Sequence, residues 1–84
     1  KGAMDTLTLG LSKEAGPLGI RVNGVRPGLI ATDMNPPERL AALVGGVPLG
    51  RTGSVDEVAE VIVWLMSDAA SFVNGATIDI TGGR

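Results

Sequence analysis

The order of patterns in this sequence predicts an α/β chain, and three observations carry that prediction. Two β-forming runs, Ile20–Arg26 and Ala76–Thr81, stand far apart with a strongly helical segment between them. Strand, long helical crossover and strand make a βαβ unit, which is expected to be parallel and right-handed. A helical pattern also precedes the first run by a short connection, which is half of another α/β unit. At 84 residues the chain is one domain or part of one, with room for only a thin core.

In chain order, Lys1–Ala15 is the first helix candidate. Met4, Leu7 and Leu11 fall at i, i+3 and i+7 and form one apolar stripe, with Ala3 and Gly10 as small neighbours. Gly16-Pro17 is expected to stop the helix, with Gly16 at the left-handed position after it and Pro17 unable to continue it. No capping residue precedes Lys1, and the first residues read like the inside of a helix, so further residues upstream are expected.

Ile20–Arg26 has Ile20, Val22 and Val25 as β-formers and no proline. Pro27-Gly28 is expected to end it, because Pro27 lacks an N–H and Gly28 permits a backbone that other residues resist. A strand ending in a tight turn at its carboxyl end is where open α/β sheets place ligands. An ordinary strand and turn would look the same over this stretch alone. Asn23 and Arg26 are read as structural, and Asp33 as a cap on the segment that follows.

Asn35-Pro36-Pro37 opens that segment. Glu38–Val44 has helical spacing for about two turns, Gly45-Gly46 ends it, and Pro48–Gly53 is loop. A flap over a site is the preferred reading of this connection, since it follows the strand's carboxyl end. An irregular link is the alternative. Gly45–Thr52 resembles a phosphate-binding loop with Arg51 in the lysine place. It is set aside because a helical segment precedes it where a strand is required, and Pro48 removes an amide from the cradle.

Ser54-Val55-Asp56-Glu57 is a capping box, and Asp56 and Glu57 suit the positive helix end. The helix it starts carries Val58, Val61, Ile62, Leu65 and Met66 on a wide apolar face, read as core or subunit contact, and ends near Ser67-Asp68. Asn74-Gly75 is a turn. In the last strand Ala76, Ile78 and Ile80 share one face, and Thr77, Asp79 and Thr81 share the other.

Composition narrows the chemistry. The formal charge is −2, with 44% hydrophobic and 19% charged residues, which is globular and suggests neither a nucleic-acid nor a membrane surface. There is no cysteine, histidine or tyrosine. These residues therefore hold no disulfide, thiolate or imidazole metal site, Ser-His-Asp triad or tyrosine acid. No apolar run approaches the ~20 residues of a membrane span, and a soluble, cytoplasmic protein is expected.

Three motifs, in order and at the right spacing, resemble the carboxyl-terminal third of a short-chain dehydrogenase/reductase. KGAMDTLTLGLSKE is similar to the family's helix beginning at the lysine of its Tyr-x-x-x-Lys motif. IRVNGVRPGLIATDM is similar to the strand and Pro-Gly turn that meet the nicotinamide. PLGRTGSVDEVAEVIVWLMSDAASFVNGATIDITGG is similar to the final helix, strand and Gly-Gly end.

The resemblance covers residues 1–84. It implies the carboxyl-terminal part of one Rossmann-type, doubly wound parallel sheet. It also implies hydride transfer between NAD or NADP and a small alcohol or carbonyl substrate. Lys1 matches the lysine that holds the nicotinamide ribose and lowers the pKa of the catalytic tyrosine, as a nearby cation does. Pro27 and Gly28 match the turn beside the ring, Ile30 the residue whose backbone meets the carboxamide, and Thr32 the hydroxyl that bonds the carboxamide or a phosphate. Asn35–Thr52 matches the variable substrate loop.

The family's tyrosine would stand four residues before Lys1, and its serine and glycine-rich dinucleotide loop lie further upstream still. The 84 residues alone are therefore expected to be inactive and to act as part of a larger enzyme. Family members are commonly dimers or tetramers, so a homo-oligomer, or association with the amino-terminal part, is implied. A non-catalytic, self-associating or interaction module is the alternative, because an unpaired strand edge and exposed apolar helix faces invite another chain.

Overall fold

The computed structural model describes residues 2–84. Its elements run α1 (Gly2–Ala15), β1 (Gly24–Pro27), β2 (Ile30–Ala31), α2 (Pro37–Leu43), β3 (Gly53–Ser54), α3 (Val55–Leu65) and β4 (Thr77–Ile80), with single 3₁₀ turns at Gly16–Leu18, Val44–Gly46 and Asp68–Ala70. β1 lies beside β4, and β2 beside β3. Gly24 N–H donates to the Ala76 carbonyl and Gly28 N–H to that of Ile80. Both strands advance together between those bonds, so the pair is parallel, as the βαβ reading required. The chain forms two compact units, one of the residues up to Val25 with Ile62–Ile78, the other of Arg26–Val61 with Asp79–Arg84.

In the first unit, α1 packs through Ser12. Ser12 is buried, its hydroxyl donates to the Leu9 carbonyl at 2.6 Å, and its own carbonyl accepts from Asn74 Nδ2 at 3.1 Å. Gly75 has φ +77, and a Cβ there would fall 2.7 Å from Ser12 Oγ, so glycine is required twice over. Met4 and Leu7 are 64% and 53% exposed: the small polar residue, not the apolar stripe, meets the rest of this unit. Leu65 and Ala70 are this unit's buried apolar side chains.

Two expectations here need correction. Gly16 is not the left-handed residue. The helix tightens into a 3₁₀ turn with Pro17 near its start, where proline's missing N–H costs nothing, and Gly19 takes φ +76. The strand expected from Ile20 begins only at Gly24. Before it, Val22 N–H donates to Asn74 Oδ1, Gly75 N–H donates to the Val22 carbonyl, and Asn23 binds the Val73 carbonyl and the Ala76 N–H. Arg21 reaches the carbonyls of Val73 and Ser67. Asparagine side chains thus satisfy backbone groups that a ladder would otherwise pair.

In the second unit, β2 and β3 are parallel, with Ile30 opposite Gly53 and Ala31 opposite Ser54. Neither two-residue strand was expected, since Ile30–Ala31 follows the Pro-Gly break and Gly53–Ser54 is read as the end of a loop and a helix cap. Val47 is the buried apolar side chain of this unit. The segment read as Glu38–Val44 is α2. Its cap position is Pro36, with no side-chain cap bond, so Asp33 does not cap it.

Candidate functional site

Pro27, Gly28, Ile30 and Thr32 follow one another along the end of β1 and through β2, all in the second unit. Lys1, the remaining residue expected at the site, lies outside the described residues. Gly28 N–H donates to the Ile80 carbonyl at 2.9 Å. Gly28 is not at positive φ, so the expectation of an unusual backbone is corrected. What requires glycine is closeness: a Cβ would sit 2.9 Å from Thr81 Cα. Arg26 pairs with Asp79 through Nε and Oδ1 beside it, the structural role expected of that arginine.

Beyond Gly28 the chain is gripped from two sides. Gly53 N–H donates to the Leu29 carbonyl at 2.9 Å, which sets the β2–β3 register. The Ile30 side chain lies over Gly53, where a Cβ would meet its Cδ1 at 2.8 Å. From the other side, Asn35 Nδ2 donates to the Ile30 carbonyl and to Thr32 Oγ1, each at 3.2 Å, and Asn35 N–H donates to the Thr32 carbonyl at 3.1 Å. Thr32 is exposed. Because its oxygen accepts from Asn35, its hydroxyl hydrogen is the group it offers outward.

β3 is held by the start of α3. Ser54 N–H donates to Glu57 Oε1 at 3.0 Å and Glu57 N–H to Ser54 Oγ at 3.1 Å, the reciprocal pair the capping box requires. Arg51 donates to both Glu57 oxygens at 2.8 and 2.9 Å, a bidentate fork. The hydrogen bonds from Arg51, then that from the Ser54 amide, lower the Glu57 carboxyl from 4.5 to about 2, and Glu57 in turn raises Arg51. Leu29, Ile30, Leu49, Arg51, Glu57 and Thr81 border a shallow cleft of about 200 Å³.

Asn35 and Gly53 escaped the sequence reading. The spacing of Thr32 and Asn35 suits a side-chain-bonded turn, a signal present but unused. Gly53 carried no signal beyond standing before the capping box. Arg51 drew notice only as part of the resemblance to a phosphate loop. In the structure α2 precedes that stretch, a 3₁₀ turn runs into its first residues and the next helix waits until Val55, so the stretch is not a phosphate cradle.

A parallel β1–β4 pair joined through helices, with a Pro-Gly turn at the carboxyl end of β1, places the chain in the α/β class that binds ligands at strand ends. The family model described as enoyl-(acyl carrier protein) reductase matches residues 1–84. The chain belongs to that family, among the short-chain dehydrogenases/reductases with their Rossmann-type fold. It is 51% identical to "Uncharacterized oxidoreductase YgfF" of Escherichia coli (strain K12), with all of this chain and 36% of that protein covered. A 3-oxoacyl-[acyl-carrier protein] reductase with bound NAD from Brucella melitensis matches with TM-score 0.88 and 46% identity, covering 98% of this chain and 30% of that one. A blue fluorescent protein from a metagenomic library, in complex with NADPH, matches with TM-score 0.91 and 38% identity, covering 99% and 34%. The chain therefore spans about a third of the length of these relatives.

Proposed function

We propose that these 84 residues serve as the carboxyl-terminal part of an NAD(P)-dependent oxidoreductase acting on a small alcohol or carbonyl compound. The observation that carries this reading is the gripped segment Pro27–Thr32 at the end of β1. Four residues expected to face one end of a cofactor lie within six positions, and Asn35 and β3 fix the backbone of the Ile30–Thr32 part. The donor set suits a nicotinamide. The exposed Thr32 hydroxyl offers a hydrogen to a carboxamide oxygen. When bound, the nicotinamide supplies or accepts the hydride. Thr32 and the Ile30 backbone would orient the carboxamide. Lys1 would hold the ribose hydroxyls and lower the pKa of a tyrosine four residues upstream, the helical spacing that sets two side chains on one face. Residues 35–52 would border the substrate; the flap expected of the Pro48–Gly53 loop is not supported, because Val47 is buried and Arg51 is forked to Glu57.

The relatives solved with NAD and with NADPH support a nicotinamide cofactor of either kind. No described helix is long and apolar enough to cross a membrane, in keeping with a cytoplasmic enzyme. The exposed apolar residues of α1 and α3 support a homo-oligomer. They also favour the second reading, a self-associating module without chemistry of its own. The test is NADH and NADPH binding by the full-length polypeptide, which on this reading carries a tyrosine four residues before Lys1. Binding is expected, and Thr32→Val, which keeps the shape and loses the hydroxyl, should weaken it about fivefold, the worth of one ordinary hydrogen bond. Binding of neither cofactor would discard the enzymatic reading.

A further inference from the structure

We infer that Arg51 and Glu57 are positioning residues for the nicotinamide-facing segment Leu29–Thr32, acting through β3. The inference rests on the oxidoreductase reading above and adds a positioning role for Arg51, which the resemblance places only within the substrate loop, and for Glu57, read so far only as part of the capping box.

The connection is continuous and short. The Glu57 carboxylate accepts the Ser54 N–H and both ends of the Arg51 guanidinium. Arg51 also donates to the Thr52 carbonyl at 3.1 Å. One carboxylate and one guanidinium therefore fix the backbone from Arg51 to Ser54 by four hydrogen bonds. Gly53 and Ser54 are β3, whose partners are Ile30 and Ala31, and the Gly53 N–H holds the Leu29 carbonyl. A parallel pairing of only two residues has little order of its own, because strands need several pairs or a packed face for stability. Its register must be set from outside. On the β2 side Asn35 does this, and on the β3 side the fork does.

The same arrangement joins both ends of the segment between Thr32 and Thr52 at one place. Chain leaving β2 returns at β3 directly beside it, so movement of the substrate loop would pull on this bridge. Arg51 stands at the loop's last turn, and its fork keeps that pull from reaching Ile30. A fork is suited to this because a planar guanidinium on a carboxylate fixes orientation as well as distance, which an ammonium does not.

Two substitutions separate positioning from helix stability. Glu57→Gln keeps a residue that serves the capping box and removes the ionic fork. Arg51→Lys keeps the charge and removes the two-point geometry. Each is placed in the full-length protein. Binding is measured for whichever of NADH and NADPH the unaltered protein takes, and for the matching fragment without the nicotinamide, ADP-ribose or its 2′-phosphate. Either substitution is expected to weaken whole-cofactor binding about three- to tenfold and leave fragment binding within about twofold. The double variant should be no worse than either alone, as for residues acting as one unit. Unchanged whole-cofactor affinity in both folded variants overturns the inference, as does equal loss of whole cofactor and fragment, which is what general loosening gives. If the unaltered protein binds neither dinucleotide, the oxidoreductase reading fails first and this inference goes with it. If Glu57→Gln does not fold, Arg51→Lys alone decides.

Discussion

The Glu57 carboxylate accepts from Arg51 and from the Ser54 amide, and that sets how its contribution depends on pH. A free glutamate titrates near 4.5 and this one near 2. The folded value is the lower, so the stabilisation is fully present above about pH 4.5. It is lost progressively as the pH falls toward 2. Denaturant midpoints of the unaltered protein and Glu57→Gln are expected to differ at pH 6, and the gap should close between pH 4.5 and 2. Added salt should narrow it too, because both side chains are substantially exposed. Two glycines give a contrast in steric consequence. Gly28→Ala would drive a Cβ against Thr81 backbone, whereas Gly53→Ala meets only the movable tip of Ile30. Gly28→Ala is expected to cost about 1–3 kcal/mol, in the range for overpacking, and Gly53→Ala distinctly less, as measured by urea unfolding.

Among the elements, those with their own periodicity or cap were legible in the sequence. α3 is announced by Ser54 and Glu57, and the bonds they were expected to make are present. β4 alternates its faces, and α2 shows two turns of spacing before a double glycine. The failures share a cause: distant side chains decided what local pattern could not. β1 is short because Asn74, far along the chain, takes the Val22 amide. β2 and β3 are too short for a period to show. At the site, Pro27, Gly28, Ile30 and Thr32 were found as neighbours in sequence, and the structure adds Asn35, which folds back on Ile30 and Thr32 through a four-residue turn. The asparagine substitution for backbone pairing has a direct test. Asn74→Ala removes an acceptor from Val22 N–H and a donor from the Ser12 carbonyl. It is expected to destabilise by about 0.5–1.5 kcal/mol, the net worth of an ordinary hydrogen bond where water can reach the groups left behind, with hydrogen exchange at Val22 accelerated.

Over the whole molecule, apolar surface is the dominant fact. Among the described residues the buried apolar side chains are Val47, Leu65 and Ala70, while Met66 is 79% exposed and Phe72 wholly so. On the oligomeric reading proposed above, these residues would be covered by another chain. The 84-residue polypeptide is expected to associate in sedimentation experiments, and replacing Met4 and Leu7 together by lysine should shift it toward monomer. A monodisperse, folded monomer of the unaltered chain would speak against that. Composition made the globular character legible. It could not reveal which apolar face is covered, because periodicity marks a face without saying what meets it. α1 shows this, turning Ser12 inward and its Met4 and Leu7 stripe out.

Val47 is buried, and Gly82 and Gly83 make room for it and for Pro48. A Cβ on Gly82 would lie 2.7 Å from Val47 Cγ1, a Cβ on Gly83 would lie 3.1 Å from Pro48, and Leu49 N–H donates to the Gly82 carbonyl. The connection between β2 and β3 is therefore divided into two kinds of territory. From Pro36 to Gly46 no side chain is buried, and changes of length are expected to be absorbed there. From Val47 to Ser54 it is fixed masonry, seated on the two glycines and locked to Glu57, and a change of length there would be felt at Ile30.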